Sequence, residues 1–518
     1  MTVRKKYLIE SIGFTTYNNR TMGKVYLVGA GPGDLKLITL KGLELIQQAD
    51  CIIYDYLANK ELLGFAREDA EIIYAGKQAS QHELPQDEIN ELLLKKAERY
   101  SIVVRLKGGD PFIFGRGGEE ALFLAEKGID FEICPGVTSA ISVPAYAGIP
   151  LTHRHYASSV AFVTGHEDES KTSSSINWKG LATGVDTLVF LMGIRNIGLI
   201  KNRLIENGID PKTDACIIMH GTLPNQRVIV SSLDEIHKEA EKQGAKPPGI
   251  IVVGRVVELR DRLRWFEKRP LFGKKIAVTR ARHQSTKLGR SLSDRGADIL
   301  YIPVIDIKTI EPNERLDEAI KSIDRYYAVI FTSTNSVDIF FDALFKAKRD
   351  VRSLKGVRVI SIGDATASAL LSRGVISDFV PEKWTSEGII EILKGIDIRN
   401  KRLLLPRAEE ARDILVNYIN NNGGMCDVIP IYKTTIPETL EKLKETPDVI
   451  TFTSSSTVKN FIASYGKQAL ERCIVASIGP ITSKTLRDYG IDATIEAKRY
   501  DIPGLVEAIE GYYKNSAQ

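Results

Sequence analysis

The second half of the chain is written twice, and this repetition limits its fold more than any single motif does. KIAVTRARHQSTKLGRSLSDRGADILYIPVI at 275–305 and RLLLPRAEEARDILVNYINNNGGMCDVIPIY at 402–432 share one order: strand, arginine, helix, glycine, aspartate, strand, proline. AVIFTSTNSVDIF at 328–340 likewise matches DVITFTSSSTVKNF at 448–461, and VISIGDATASALLSRG at 359–374 matches CIVASIGPITSKTLRDYG at 473–490. Self-similarity of this length repeats a folded unit, not a single element. Each copy is about as long as a small α/β domain. Residues 274–518 are therefore predicted to form two similar α/β lobes with a ligand cleft between them.

A chain of 518 residues is too long for one core, and its front half has another rhythm. The β-rich runs KVYLVGAG, DCIIYD, SIVVRLKG and FEICPG alternate with helix-like stretches over Leu40–Ala49 and Gln86–Arg99. That alternation predicts an α/β fold on a largely parallel sheet. A second set, SSVAFVTGH, DTLVFLMG, ACIIMHGT and GIIVVGRVV, follows the Pro/Gly-rich stretch Pro135–Pro150. Two α/β subdomains are expected, at about 22–134 and 135–267, with EDESKTSSS at 167–175 as a surface loop and 268–273 as a linker. Residues 1–21 read as an extension ahead of the first strand, Lys24–Gly29.

Several function classes are disfavoured at this point. Five cysteines without a CxxC pair argue against a zinc site, a cluster or a disulfide framework, so no metal is expected. No apolar run reaches the ~18 residues that span a bilayer, and the opening lacks the apolar core of a signal peptide, which predicts a cytoplasmic protein without membrane contact. A net charge of +4, with Lys and Arg interleaved among Asp and Glu, points away from nucleic acid.

Two glycine-rich segments carry the chemistry of the front half. GAGPGD at 29–34 follows a strand and precedes a helix, so its backbone can turn tightly and approach a ligand. Its G-x-G-P-G spacing is not that of a dinucleotide fold, and Pro32 removes an amide that a pyrophosphate would use. RLKGGDPFIFGRGGEE at 105–120 is poor helix and poor strand. Ordering so long a glycine loop costs chain entropy, and such loops usually bind something.

With that loop the front half resembles the uroporphyrinogen III C-methyltransferases of the tetrapyrrole methylase family. The match runs through GKVYLVGAGPGD, ADCIIYD, AGK, RLKGGDPFIFGRGGEE, PGVTSA, YAGIPLTHR, TLVFLMG, HGT with Gln226, and IIVVGRVV, over 22–267. The resemblance implies two subdomains holding S-adenosylmethionine, the methyl donor that leaves as S-adenosylhomocysteine. It assigns that ligand to Pro32, Gly108, Gly109, Asp110, Ile113, Thr138, Ser139, Met192 and Gly221. It implies methylation of uroporphyrinogen III at C2 and C7 to precorrin-2, with Asp55 as proton acceptor and Lys77 as donor. Taken alone, Asp55 reads as a helix cap and Lys77 as a solvated side chain. An octacarboxylate substrate requires a cationic rim, for which Arg105, Lys107, Arg116, His153 and Arg154 stand as candidates. His220 precedes Gly221 where relatives often carry Asn. Homodimerisation through this half is a further expectation from the family, and no metal is part of its chemistry.

The rear half resembles uroporphyrinogen III synthase, through VTR with Arg280, the paired FTS segments, SIGDAT and SIGPIT, and the PIY ending at Tyr432. Thr332, Ser333 and Asn335 in one lobe and Thr453, Ser454 and Ser456 in the other stand at expected helix N-termini. Their hydroxyls there either cap the helix or bind carboxylates. The resemblance implies one lobe from 274–306 plus 436–518 and a second from 307–435. It also implies closure of hydroxymethylbilane with inversion of the last ring, Tyr432 donating to the departing hydroxyl. The fused halves would then make and consume one tetrapyrrole. The alternative is a rear half that binds a tetrapyrrole without converting it.

Overall fold

The structure, a computed structural model, describes residues 22–76, 85–166, 174–280, 282–411, 413–437, 440, 443 and 445–516. The chain forms two compact units, one of the residues up to Gly273 together with Arg295–Asp298, the other of Lys274–Asp294 and the residues from Ile299 onward. It carries four five-stranded sheets, two before Gly273 and two after it.

In the first sheet the order is Glu71–Tyr74, Cys51–Tyr54, Ile102–Lys107, Lys24–Gly29, Phe131–Cys134, with every neighbouring pair parallel. Parallel neighbours need crossovers, and Leu40–Gln48, Gln86–Ala97 and Gly117–Glu126 supply helices for them. Thr39 starts the first of these helices by accepting the Gly42 amide at 3.0 Å, and Leu45 and Ile46 are buried. Because helices cover both faces, the central strands read as nearly unbroken apolar runs: Val103, Val104 and Leu106 are buried.

The first sheet is thus the parallel one that the alternation predicts, and the second is mixed. Its order is Val160–Thr164, Thr187–Leu191, Gly249–Val253, Asp214–Met219, Arg227–Ser232. Only the first pair is parallel; Gly249–Val253 runs antiparallel to both neighbours, and Asp214–Met219 to Arg227–Ser232. The connection 220–226 is too short for a crossover, so these two strands can pair only as a hairpin.

In the rear unit the two sequence copies do not become the two lobes. One sheet has the order Asp298–Tyr301, Lys275–Val278, Val449–Phe452, Ile474–Ser477, Ile495–Glu496, and the other Asp306–Thr309, Met425–Thr435, Arg402–Ala408, Ala328–Phe331, Arg358–Ser361. Each sheet thus joins the front of one copy to the rear of the other. Aromatic rings fill the second core: Phe331, Phe340 and Phe341 are fully buried with ring centroids 5.3–6.3 Å apart. In the first, Phe452 and Phe461 meet at 5.5 Å. No helix among the described residues is long and apolar enough to cross a membrane.

Phe340→Ala is predicted to destabilise the rear unit by about 3–5 kcal/mol in chemical denaturation, because a buried aromatic leaves a cavity. Phe345→Ala, at a ring 45% exposed, should cost under about 1 kcal/mol. Equal losses would mean that this ring cluster is not the centre of the core.

Candidate functional site

All five strands of the first sheet are parallel, so their carboxyl ends share one edge, and the loops that leave it converge there. Three glycines permit this. A Cβ on Gly29 would lie 2.5 Å from Gly136 Cα and 2.6 Å from the Gly109 carbonyl oxygen; one on Gly136 would lie 2.2 Å from that same oxygen. The segments after Gly29, Lys107 and Cys134 therefore meet backbone to backbone. Gly31 and Gly109 exchange amide bonds at 3.2 and 2.7 Å, and Gly109 takes φ +69°.

Asp110 organises this junction, accepting the Phe112 amide at 2.8 Å and the Gly136 amide at 2.9 Å. Thr138 caps the helix Ser139–Tyr146 through the Ala140 amide. From the second sheet comes the segment after Met219. The Thr222 hydroxyl accepts the Asp34 amide at 3.1 Å, the Tyr146 hydroxyl donates to Asp34 at 2.8 Å, and the Asn59 amide group donates to the Gly33 carbonyl at 2.7 Å. Burial, and then the bond to Asp34, push the Tyr146 phenol well above its ordinary pKa. Gly221 packs against Val143, where a Cβ would come within 2.3 Å.

Strain collects in the loops that leave the sheets of this half. Of seven described non-glycine residues with positive φ, five are Phe114, Arg116, Met192, His220 and Thr222. For a β-branched residue such as Thr222, at φ +69°, that conformation is held only by its surroundings; its amide donates to Gln226 Oε1 at 3.0 Å. Met192 and Ile113 expose apolar surface, at 52% and 38%.

Asp55 lies one residue past the end of Cys51–Tyr54, just outside the strand that the sequence predicted it to end. Its carboxylate accepts the Gly108 amide at 3.3 Å and faces Arg105 at 3.6 Å. Lys77 lies outside the described residues. Arg105 and Lys107 correct the predicted rim: they are only 2% and 4% exposed, and both donate to the fully buried Glu120, at 3.2 and 2.8 Å. Both side chains point inward from the central strand of a covered sheet, and burying a cation demands a partner. Burial, with Arg105 close by, holds the Lys107 ammonium below its usual pKa, against the pull of Glu120. Arg116 is exposed and paired twice with Glu119, at 2.9 and 2.7 Å. Arg154 is exposed and His153 sits in a turn closed on Ala157; among the described residues neither bonds to the glycine junction.

In the rear unit the FTS hydroxyls act as caps. Ser333 accepts the Ser336 amide at 3.0 Å to start Thr334–Lys346, and Ser454 accepts the Thr457 amide at 3.2 Å to start Ser455–Tyr465. Ser454 and Ser456 share a hydroxyl bond at 2.9 Å. Thr332, Asn335 and Thr453 are part-buried beside them. Tyr432 is only 7% exposed, and its hydroxyl lies 3.0 Å from that of Ser333. Two residues beyond the paired Val278 and Thr451 come Arg280 and Thr453; three beyond Val329 and Leu404 come Thr332 and Arg407. An arginine thus stands near the carboxyl end of the strand beside each FTS segment, Arg280 just beyond Lys275–Val278 and Arg407 within Arg402–Ala408, whereas the family resemblance points only to Arg280. Burial lowers the Arg280 guanidinium pKa, whereas Arg407 is paired with Asp413 at 2.5 Å. Also overlooked were Asp34, Tyr146 and Thr222, although GAGPGD, YAGIP and HGT contain them.

Two family models match: Tetrapyrrole (Corrin/Porphyrin) Methylases over residues 24–237 and Uroporphyrinogen-III synthase HemD over 286–507. A porphyrin biosynthesis protein HemD from Ruminiclostridium josui is 40% identical over 485 residues, covering 92% of this chain and 95% of that one. A uroporphyrinogen-III C-methyltransferase from Bacillus subtilis is 41% identical over 354 residues, 68% of this chain and 72% of its own. A solved uroporphyrin-III C-methyltransferase from Thermus thermophilus, complexed with S-adenosylhomocysteine, is 39% identical; the match covers 46% of this chain and all of that one, with a TM-score of 0.40.

Gly221→Ala should lower the thermal stability of the front unit by about 1–3 kcal/mol, the cost of overpacking. Val143→Ala in the same chain should restore part of the loss, since Val143 is what the new methyl meets. No recovery in the double variant would place the clash elsewhere.

Proposed function

The front half of this chain belongs to the tetrapyrrole methylase family and the rear half to the uroporphyrinogen-III synthase HemD family, and from that premise we propose one bifunctional enzyme. The rear half closes hydroxymethylbilane to uroporphyrinogen III, and the front half methylates that product at C2 and C7 to precorrin-2. The observation that carries the reading is the glycine junction of Gly29, Gly109 and Gly136 with Asp55 at its side. A backbone-lined edge with the Asp55 carboxylate at its side and little free cationic charge among the described residues suits a sulfonium ligand and an electron-rich carbon nucleophile.

S-adenosylmethionine, when bound, supplies an electrophilic methyl group whose C–S bond breaks as the new C–C bond forms. The residues of the junction fit such a ligand. Gly108, Gly109, Thr138 and Ser139 offer main-chain groups for its amino-acid end, and the exposed side chains of Ile113 and Met192 offer an apolar wall for adenine. Asp110, with both oxygens on amides, shapes the loop from behind. Pro32 and Gly221 complete the enclosure. The chain's part is placement and then acceptance by Asp55 of the proton that leaves the methylated ring, with Lys77 as donor. Arg116, His153 and Arg154 receive substrate carboxylates.

In the rear half, Tyr432 donates a proton to the hydroxyl that departs as water. Arg280 with Thr332, Ser333, Asn335, Thr453, Ser454 and Ser456 holds the carboxylates. One observation favours the second reading, a rear half that binds without converting: the hydroxyls of Ser333 and Ser454 already serve helix amides.

The full chain, given hydroxymethylbilane and S-adenosylmethionine without oxygen, is expected to yield methylated type III product, read by absorbance and methyl incorporation. Methylation only from preformed uroporphyrinogen III would sustain the front assignment and make the rear half a binding module. No methylation from either substrate would overturn the reading. Tyr432→Phe should lower ring closure at least about 10-fold, a barrier change of about 1.4 kcal/mol, with methylation of supplied uroporphyrinogen III unchanged.

A further inference from the structure

Behind the glycine junction lies a group of charges of which the reaction above uses only Asp55. The side chains of Glu120, Arg105 and Lys107 are 0%, 3% and 5% exposed, while that of Asp55 is 26% exposed. Asp55 is thus the one member of the group that opens to the ligand edge. Arg105 is held on every side of its fork. Nε donates to Glu120 Oε1 at 3.2 Å, one terminal nitrogen lies 3.4 Å from the carbonyls of Ile53 and Leu106, and the other faces Asp55 Oδ2 at 3.6 Å. Asp55 Oδ1 accepts the amide of Gly108, the first residue of the glycine loop.

Glu120 is arranged asymmetrically. Its Oε1 accepts from Lys107 at 2.8 Å, Arg105 at 3.2 Å and Gln86 at 3.3 Å, while its buried Oε2 has no hydrogen-bond partner among the described residues. A buried carboxylate that leaves one oxygen unused is a poor stabilising device, because its desolvation is only half offset. Such departures from full satisfaction concentrate where a site demands a particular geometry.

We infer that Glu120 is a positioning residue for methyl transfer: through Arg105 it fixes the Asp55 carboxylate against Gly108, and Lys107 balances the charge that Glu120 brings into the core. The inference rests on Asp55 acting as proton acceptor in the reaction proposed above. Glu120 anchors Arg105 at Nε; without it only the 3.4 Å contacts of one terminal nitrogen to the Ile53 and Leu106 carbonyls hold the guanidinium, and it can turn toward Asp55 and close the 3.6 Å gap as a direct pair. The carboxylate then leaves its place on the Gly108 amide, and misplacement of about 1 Å costs on the order of 100-fold in rate.

Glu120→Leu alone leaves two buried cations with one carboxylate and threatens folding. The test therefore uses Glu120→Gln, and Glu120→Leu combined with Lys107→Met, in the full chain. Each is compared with wild type and Asp55→Asn for kcat and KM with uroporphyrinogen III, thermal unfolding, and calorimetric binding of S-adenosylhomocysteine. The expected result is a paired variant that unfolds near the wild-type temperature, with KM and ligand affinity within about 2-fold and kcat lowered about 10- to 100-fold. Glu120→Gln keeps an acceptor for Arg105 and should lose less. A folded paired variant with wild-type kcat overturns the inference, as does a loss confined to KM or to stability. If Asp55→Asn is slow while the Glu120 variants are not, the inference alone fails; if Asp55→Asn turns over at the wild-type rate, the reading of Asp55 fails with it.

Discussion

The front half depends on a contact that only hydrogen atoms can make. Gly29, Gly109 and Gly136 bring three strand-to-loop turns within backbone contact: a Cβ on Gly29 or Gly136 would overlap a carbonyl oxygen or a Cα, and Gly109 takes the positive φ that turns its carbonyl toward them. The amide exchange between Gly31 and Gly109, the hold of Asp110 on the Gly136 amide, and the bond of Asp34 to Thr222 all presuppose that approach. Force these turns apart and the edge of the sheet ceases to be a single surface. The positive-φ residues gathered around it, Thr222 above all, are held by the same packing and would relax without it.

A second constraint lies beneath the first. Two cations on the central strand Ile102–Lys107 face into a covered sheet, where charge is tolerated only with a partner. Glu120 supplies one partner from the helix Gly117–Glu126, and Asp55 faces Arg105 from the end of the neighbouring strand. The charge needed to bury these cations and the carboxylate exposed at the edge thus belong to one network. Of the five residues that the sequence offered as a rim, these two are therefore spent in the core, while Arg116 and Arg154 remain at the surface.

The rear half solves a different problem, the placing of two similar units in one chain. Each sheet takes the first strands of one copy and the later strands of the other, so neither copy can complete a core without its sibling. The arginine near the carboxyl end of each first strand comes to stand beside the FTS turn of the opposite copy: Arg280 level with Thr453, and Arg407 with Thr332. The internal repeat marks the similarity of the lobes but not this exchange, which the resemblance to the synthase family alone implied.

Local features were legible because local chemistry dictates them. The strand Lys24–Gly29, the helix beginning at Gln86, the glycine turns and the FTS helix starts follow from side-chain period, φ freedom and capping groups, all of which act within a few residues. What the one-dimensional pattern withheld was burial and partnership. Arg105 and Lys107 read as a cationic rim because a positive charge in a glycine-rich stretch looks solvated; their alternation along a doubly covered strand turns them inward, onto a glutamate some fifteen residues away. The antiparallel run of Gly249–Val253 and the crossing of the two repeats were likewise hidden, since strand pairing is settled between segments far apart in sequence. By itself the sequence determined the elements, the turns and the families the chain resembles, because those rest on short-range forces. Only the tertiary structure decided which charges are buried, which hydroxyls are spent on caps, and which carboxylate reaches the ligand edge, because each depends on what the rest of the chain leaves to water.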